Sequence, residues 1–148
     1  MGLIHFGDKN HFCVPGEKRF DESAIRAFCT AEGLAFYDSA CEVRRLKDNA
    51  SDAFLEVVTP TDIPALLARI PNCGTLVTTG QKATEVIASR YGCSVPPVGG
   101  FVDIVMPGLS SSSRALTRDL RFWRMPSTSR AYPLPLEKKA EAYRVLFK

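Results

Sequence analysis

The stretch Thr75-Leu76-Val77-Thr78-Thr79-Gly80-Gln81-Lys82-Ala83 constrains the fold of this chain more than any other. Its first part is rich in β-branched residues and reads as a short strand. Gly80 then turns the chain directly into a helix expected to end near Arg90, before Gly92. A strand that runs straight into a helix must lie in a sheet covered by helices. The turn matches neither the spacing of a phosphate-binding P-loop nor that of a G-x-G-x-x-G loop.

The rest of the chain repeats the alternation. Residues 1–20 read as irregular, with turn chemistry at Gly7-Asp8-Lys9-Asn10 and Pro15-Gly16. Asp21 is an N-cap for a helix to about Glu32, with an apolar stripe of Ala24, Ile25, Phe28 and Ala31 and Gly33 closing it. Leu34-Ala35-Phe36-Tyr37 reads as a short buried strand with Asp38 at its carboxyl end. Residues 42–53 are polar and charged and read as an exposed functional loop. Thr61 caps a helix from about Asp62 to Ile70, with Pro64 in its first turn and Ile63, Leu66, Leu67 and Ile70 on its buried face. Pro96 to Gly100 is a loop, Phe101 to Met106 a strand, and Pro107-Gly108 with Ser110 to Ser113 a turn. Leu120 to Arg124 is the last strand, and Leu136 to Phe147 a closing helix. The pattern predicts an α/β fold: a three-layer α/β/α sandwich on a mainly parallel sheet of about four strands. Ligands of such sheets bind beyond the carboxyl ends of the strands. The ends at Asp38, Thr79-Gly80 and Met125 to Arg130 are expected on one edge.

Composition bounds the function. A chain of 148 residues suits one domain, 1–148, and 45% hydrophobic with 24% charged residues is ordinary for a globular protein. Nothing approaches the roughly 20-residue apolar run of a membrane helix. Met1 to Asp8 lacks the pattern of a signal peptide. The five cysteines form no C-x-x-C pair, which disfavours a zinc site or an iron–sulfur cluster and points to reduced, mostly buried thiols in a cytoplasmic protein. No metal or cofactor is expected. With only His5 and His11, a histidine-based nucleophile system is poorly supplied. Net charge is +3, but Arg114, Arg118, Arg121, Arg124 and Arg130 face a single acid, Asp119, within their stretch. That run is either a nucleic-acid footprint or a solvated sheet edge.

Two more segments carry chemistry. In Arg124-Met125-Pro126-Ser127-Thr128-Ser129-Arg130, proline fixes the strand's exit, and the hydroxyls and backbone N–H groups that follow suit phosphate oxygens. An ordinary Ser/Thr turn would look the same. In Tyr37-Asp38, followed by Arg44-Arg45, the carboxylate could orient a water or brace a loop, and the arginines could meet phosphate or simply lie at the surface.

A strand ending in Met125-Pro126-Ser127-Thr128-Ser129, preceded by a strand, Gly80-Gln81-Lys82-Ala83 and a helix, resembles the uracil-DNA glycosylase superfamily. Gly33 to Asp38, with Arg44 or Arg45 beyond, is similar to its mismatch-specific and deoxyinosine-type branches. The resemblance runs from about Phe20 to Phe147. It implies a base-flipping DNA-repair enzyme that excises uracil or hypoxanthine by hydrolysing the N-glycosidic bond in a duplex with a damaged or mismatched base, in a nucleoid-associated setting. It also implies that Pro126, Ser127, Thr128 and Ser129 compress the DNA backbone, that Arg130 follows the strand or fills the vacated stack, and that Thr79, Gly80 and Tyr37 line the base pocket. Arg44, Arg45 and Arg124 would meet DNA, and Asp38 is the candidate for water.

The family's first motif, a Gly-x-x-Pro-type loop after its first central strand, has no counterpart here. Gly2 to Phe6 reads like the tail of the helix after that motif. The chain is therefore expected to be N-terminally shortened, missing a central strand. The alternatives are a catalytically inactive nucleic-acid-binding relative, or a small-molecule enzyme that holds a phosphate at the Gly80 turn. Loss of a central strand leaves backbone unpaired, which predicts a rearranged sheet, or association with a second copy or a partner.

Overall fold

The structure is a computed structural model that describes residues 1–46, 54–107 and 117–147. The chain divides into two compact units, Met1–Tyr37 with Pro133–Lys148, and Asp38–Tyr132.

In the first unit, α1 (Gly2–His5) packs on α5 (Leu136–Tyr143), which tightens into a 3-10 turn over Arg144–Phe147. The Asp21 side chain accepts the Ala24 N–H at 2.9 Å and starts α2 (Glu22–Ala31). The helix ends as a Schellman motif: Leu34 N–H reaches the Cys29 carbonyl, Gly33 N–H reaches that of Thr30, and Gly33 takes φ +64°. Its apolar stripe is only half-buried, and Ala31 is exposed. An aromatic cluster holds the unit together. His5 lies edge-on to Phe28 and Phe147, and Phe6 stacks on His11 with ring centres 3.6 Å apart.

The expected strand Leu34–Tyr37 is not formed. Phe36 and Tyr37 are 69% and 67% exposed, and no strand pairs with them. An apolar run becomes a strand only where a partner ladder and a covering layer receive it.

In the second unit, β1 (Ala40–Arg45) pairs antiparallel with β2 (Leu55–Pro60) as a separate two-stranded sheet. The first part of the expected loop at residues 42–53, Glu42 to Arg45, is thus ladder, and residues 47–53 lie outside the described residues. β3 (Thr75–Thr79), β5 (Thr117–Met125) and β4 (Gly100–Pro107) form a mixed sheet in the order β3-β5-β4. β3 runs parallel to β5, and β4 antiparallel to it.

The mainly parallel four-strand sandwich is therefore corrected to a two-stranded antiparallel sheet plus a three-stranded mixed one. Chain length supplies the reason. Only residues 108–116 separate β4 from β5, fewer than the dozen or so that a parallel crossover needs. β3 has α4 (Gln81–Tyr91) and β4 between itself and β5, so it alone runs parallel.

One face of the mixed sheet carries the core. Leu120 and Phe122 of β5 and Ile104 and Met106 of β4 meet Ile63 and Leu67 of α3 (Ile63–Arg69) and Ile87 and Ala88 of α4. Phe122 and Met106 are fully buried. On the opposite face Phe101 and Val105 remain exposed, while Trp123 and Met125 of β5 are buried. Asp62, not Thr61, caps α3, accepting the Ala65 N–H at 3.1 Å. The buried Thr61 hydroxyl instead donates to the Asp38 carbonyl at 2.7 Å. The five cysteines are free thiols, but none is fully buried and Cys41 is exposed, against the expectation of buried thiols. Among the described residues no helix is long and apolar enough to cross a membrane.

Candidate nucleic-acid interface

Because β3 and β5 are parallel neighbours, their carboxyl ends meet on one edge, with Thr79 opposite Met125. Gly80 N–H extends the ladder by donating to the Met125 carbonyl at 3.1 Å. Gly80 then adopts φ +105° and ψ 173°, a region that side chains rarely enter. A Cβ built on Gly80 would sit 3.4 Å from Ser127 Cβ and 3.6 Å from Ser127 Oγ. The glycine thus serves as a backbone corner beside Ser127, where a side chain would meet its neighbour at ordinary contact distance and only the backbone conformation demands glycine.

The corner is braced from below. Thr84 Oγ donates to the Gly80 carbonyl at 2.7 Å, and Thr78 Oγ lies 2.8 Å from Thr84 Oγ and 3.1 Å from the Trp123 carbonyl. Each hydroxyl has a single proton. Thr84 gives its proton to Gly80, so Thr78 divides its own between Thr84 and Trp123. Both threonines are buried, which holds the β3–α4 junction rigid on β5.

α4 begins at Gln81 with no side-chain cap on its N-terminus. Its first N–H groups have no intrahelical partners, and the positive end of its dipole lies at this turn. Lys82, in that first turn, is half-buried and makes no ion pair among the described residues.

Opposite it, the loop after β5 is built from Ser/Thr turns. Ser127 Oγ accepts the Ser129 N–H, and Ser129 Oγ accepts the Ala131 N–H, each at 3.2 Å. Pro126 is buried, Ser127 half-buried, and Thr128, Ser129 and Arg130 exposed. Arg130 makes no ion pair among the described residues.

The structure brings together Thr79, Gly80, Pro126, Ser127, Thr128, Ser129 and Arg130. Asp38, Arg44, Arg45 and Arg124 have other surroundings within this unit. Tyr37 belongs to the first unit. Asp38 precedes β1 and ends no strand of the mixed sheet, so the expectation of three strand ends on one edge is corrected to two. Arg44 and Arg45 lie on β1, where Arg44 pairs with Glu56 of β2 at 3.2 Å. Arg124 is half-buried; its Nη1 donates to the Pro96 carbonyl at 3.4 Å, while its Nε is buried without a partner.

The arginine run separates by role. Arg114 lies outside the described residues. Arg118 donates from Nη1 to the Leu67 carbonyl and from Nη2 to those of Ile70, Pro71 and Cys73, so it ties down the carboxyl end of α3. Arg121 stacks over the Phe101 ring, 4.4 Å from its centre, and pairs loosely with Asp103 at 3.7 Å. Arg130, beyond the carboxyl end of β5, is exposed and makes no ion pair among the described residues. Lys82, in the first turn of α4, is a further cation at the Gly80 turn that the sequence pattern does not single out. Its only signal is position, two residues after a glycine that opens a helix.

Among the described residues, no group of three or more His, Cys, Asp or Glu side chains is arranged to hold a metal ion. No family model, no curated protein and no solved structure matches this chain.

Proposed function

We propose that this chain is a DNA-binding domain of the uracil-DNA glycosylase-like kind, gripping one strand at the carboxyl edge of its mixed sheet. The proximity of Gly80 to Ser127 carries the reading. It sets an uncapped helix N-terminus next to a Ser/Thr loop, with Lys82 and Arg130 beside them. Helix N–H groups and the Ser127 hydroxyl suit phosphate oxygens, and the two cations displace counterions. The ligand that fits is duplex DNA opened at a damaged or mismatched base.

The hydrolytic reading, excision of uracil or hypoxanthine, needs a group that handles water. Among the described residues the nearest carboxylate along α4 is Glu85, which accepts from the Gln81 side chain at 2.6 Å and lies a turn into the helix. Binding without cleavage is therefore the better supported function.

Fluorescence anisotropy with uracil-, hypoxanthine- and mismatch-containing duplexes tests it. The expected outcome is salt-sensitive binding that weakens by roughly tenfold or more in Lys82→Ala/Arg130→Ala, as loss of two phosphate contacts requires. Absence of binding at low salt refutes the proposal. A strand-cleavage assay on the same duplexes decides between binding and excision, since any product restores the enzymatic reading.

A further inference from the structure

We infer that the outer edge of β3 is a docking edge for a second copy of this chain, paired antiparallel about Val77. β3 stands last in the order β3-β5-β4, so one of its edges faces no strand. The register shows which groups lie there. Arg121 N–H bonds the Gly74 carbonyl and Gly80 N–H bonds the Met125 carbonyl, with Thr75 opposite Arg121 and Thr79 opposite Met125. In a parallel ladder this makes Leu76 and Thr78 the residues that bond inward to β5. The N–H and C=O groups of Thr75, Val77 and Thr79 consequently point outward. No backbone group among the described residues bonds them; the Thr75 carbonyl accepts the weak Cys73 S–H at 3.3 Å, which a partner N–H would displace.

Three observations favour a second copy as the occupant. First, the outward-bonding residues read Thr75, Val77, Thr79, which is the same in both directions. Antiparallel pairing about Val77 sets Thr75 against the partner's Thr79 and Val77 against the partner's Val77. Each facing pair then exchanges both of its backbone hydrogen bonds, and Thr–Thr and β-branched pairs are favourable across strands. Second, β3 has no charge, proline or bulge to repel a copy of itself, and Thr75 and Thr79 are exposed. Third, the opposite edge of the sheet, β4, carries Asp103 and ends at Pro107, both of which discourage pairing. Of the mixed sheet's two edges, the β3 edge alone lacks such features among the described residues, so pairing through it closes as a two-fold dimer and does not extend this sheet into a filament. The two sheets become one continuous sheet in which the carboxyl edges of β3 and its copy point in opposite directions. The Gly80–Ser127 corner stays accessible, so this inference does not rest on DNA binding.

Sedimentation equilibrium on the full chain, run up to its highest soluble concentration, tests it. The wild type should approach twice the monomer mass. Thr75→Lys/Thr79→Lys places lysine against lysine at both outer pairs and should hold the chain monomeric; both sites are exposed, and circular dichroism checks that it is folded. Mixing that variant with Thr75→Glu/Thr79→Glu should restore the doubled mass, which a merely destabilising effect would not do. A wild type that stays monomeric at every concentration, a lysine variant that dimerises like wild type, or a mixture that fails to associate overturns the inference.

Discussion

The two ends of β5 carry the same residue type to opposite ends. At the amino end, Arg118 is consumed by four backbone carbonyls and Arg121 by a ring and a carboxylate. At the carboxyl end, Arg130 has no ion pair among the described residues, beside a glycine corner and a hydroxyl-rich loop. A count of positive charge sees one basic stretch, whereas partner accounting sees a structural clamp at one end and a candidate interface at the other. Positive charge marks a binding surface only after the charges already spent on the protein's own carbonyls and carboxylates are removed.

The largest effect that can break this comparison is at Arg118. Its Nη2 has two protons for the carbonyls of Ile70, Pro71 and Cys73, so these share them, while Nη1 serves Leu67. Arg118→Leu removes charge-assisted bonds and should cost about 3 kcal/mol in urea unfolding, with duplex affinity of the folded protein unchanged. A loss of DNA affinity without a loss of stability would reverse the assigned role. Next is Gly80→Ala, which puts a side chain at φ +105°; it should cost roughly 1–3 kcal/mol, as residues forced into sparse backbone regions do, and weaken DNA binding as the corner shifts. Near-neutral stability for Gly80→Ala would mean that the turn relaxes freely and holds nothing in place.

Smaller changes sharpen the contrast. Arg124→Ala should cost about 1 kcal/mol, typical for loss of one hydrogen bond and some packing, because it frees the loop at Pro96. Arg121→Ala should change stability by less than about 1 kcal/mol, as expected for an exposed pair on a ring, and leave DNA binding alone.

Much of the local structure was legible in the sequence. Asp21 and Gly33 bracket α2, Gly80 and Gly92 bracket α4, and the β-branched run at Thr75 is β3, because caps and turns are short-range chemistry. The β1–β2 pair was not legible, since its residues are mostly exposed and leave no alternation to read. Leu34–Tyr37 misled for the opposite reason: it has strand-like side chains but no partner. The antiparallel sense of β4 and β5 was available from the brevity of residues 108–116, a constraint stronger than the helix–strand alternation that suggested parallel strands. At the site, the segments were legible but their meeting was not. Nothing local says that Gly80 will lie beside Ser127, or that Arg118 will turn inward onto α3.

The most direct test is the salt dependence of duplex binding for Arg130→Ala beside Arg121→Ala, neighbours on one basic stretch with opposite assigned roles. Expected is a log–log salt slope shallower by about 1 for Arg130→Ala, the loss of a single phosphate contact, and an unchanged slope for Arg121→Ala. Equal slopes for the two variants, or a loss confined to Arg121→Ala, would contradict the assignment of the carboxyl edge as the DNA-binding surface.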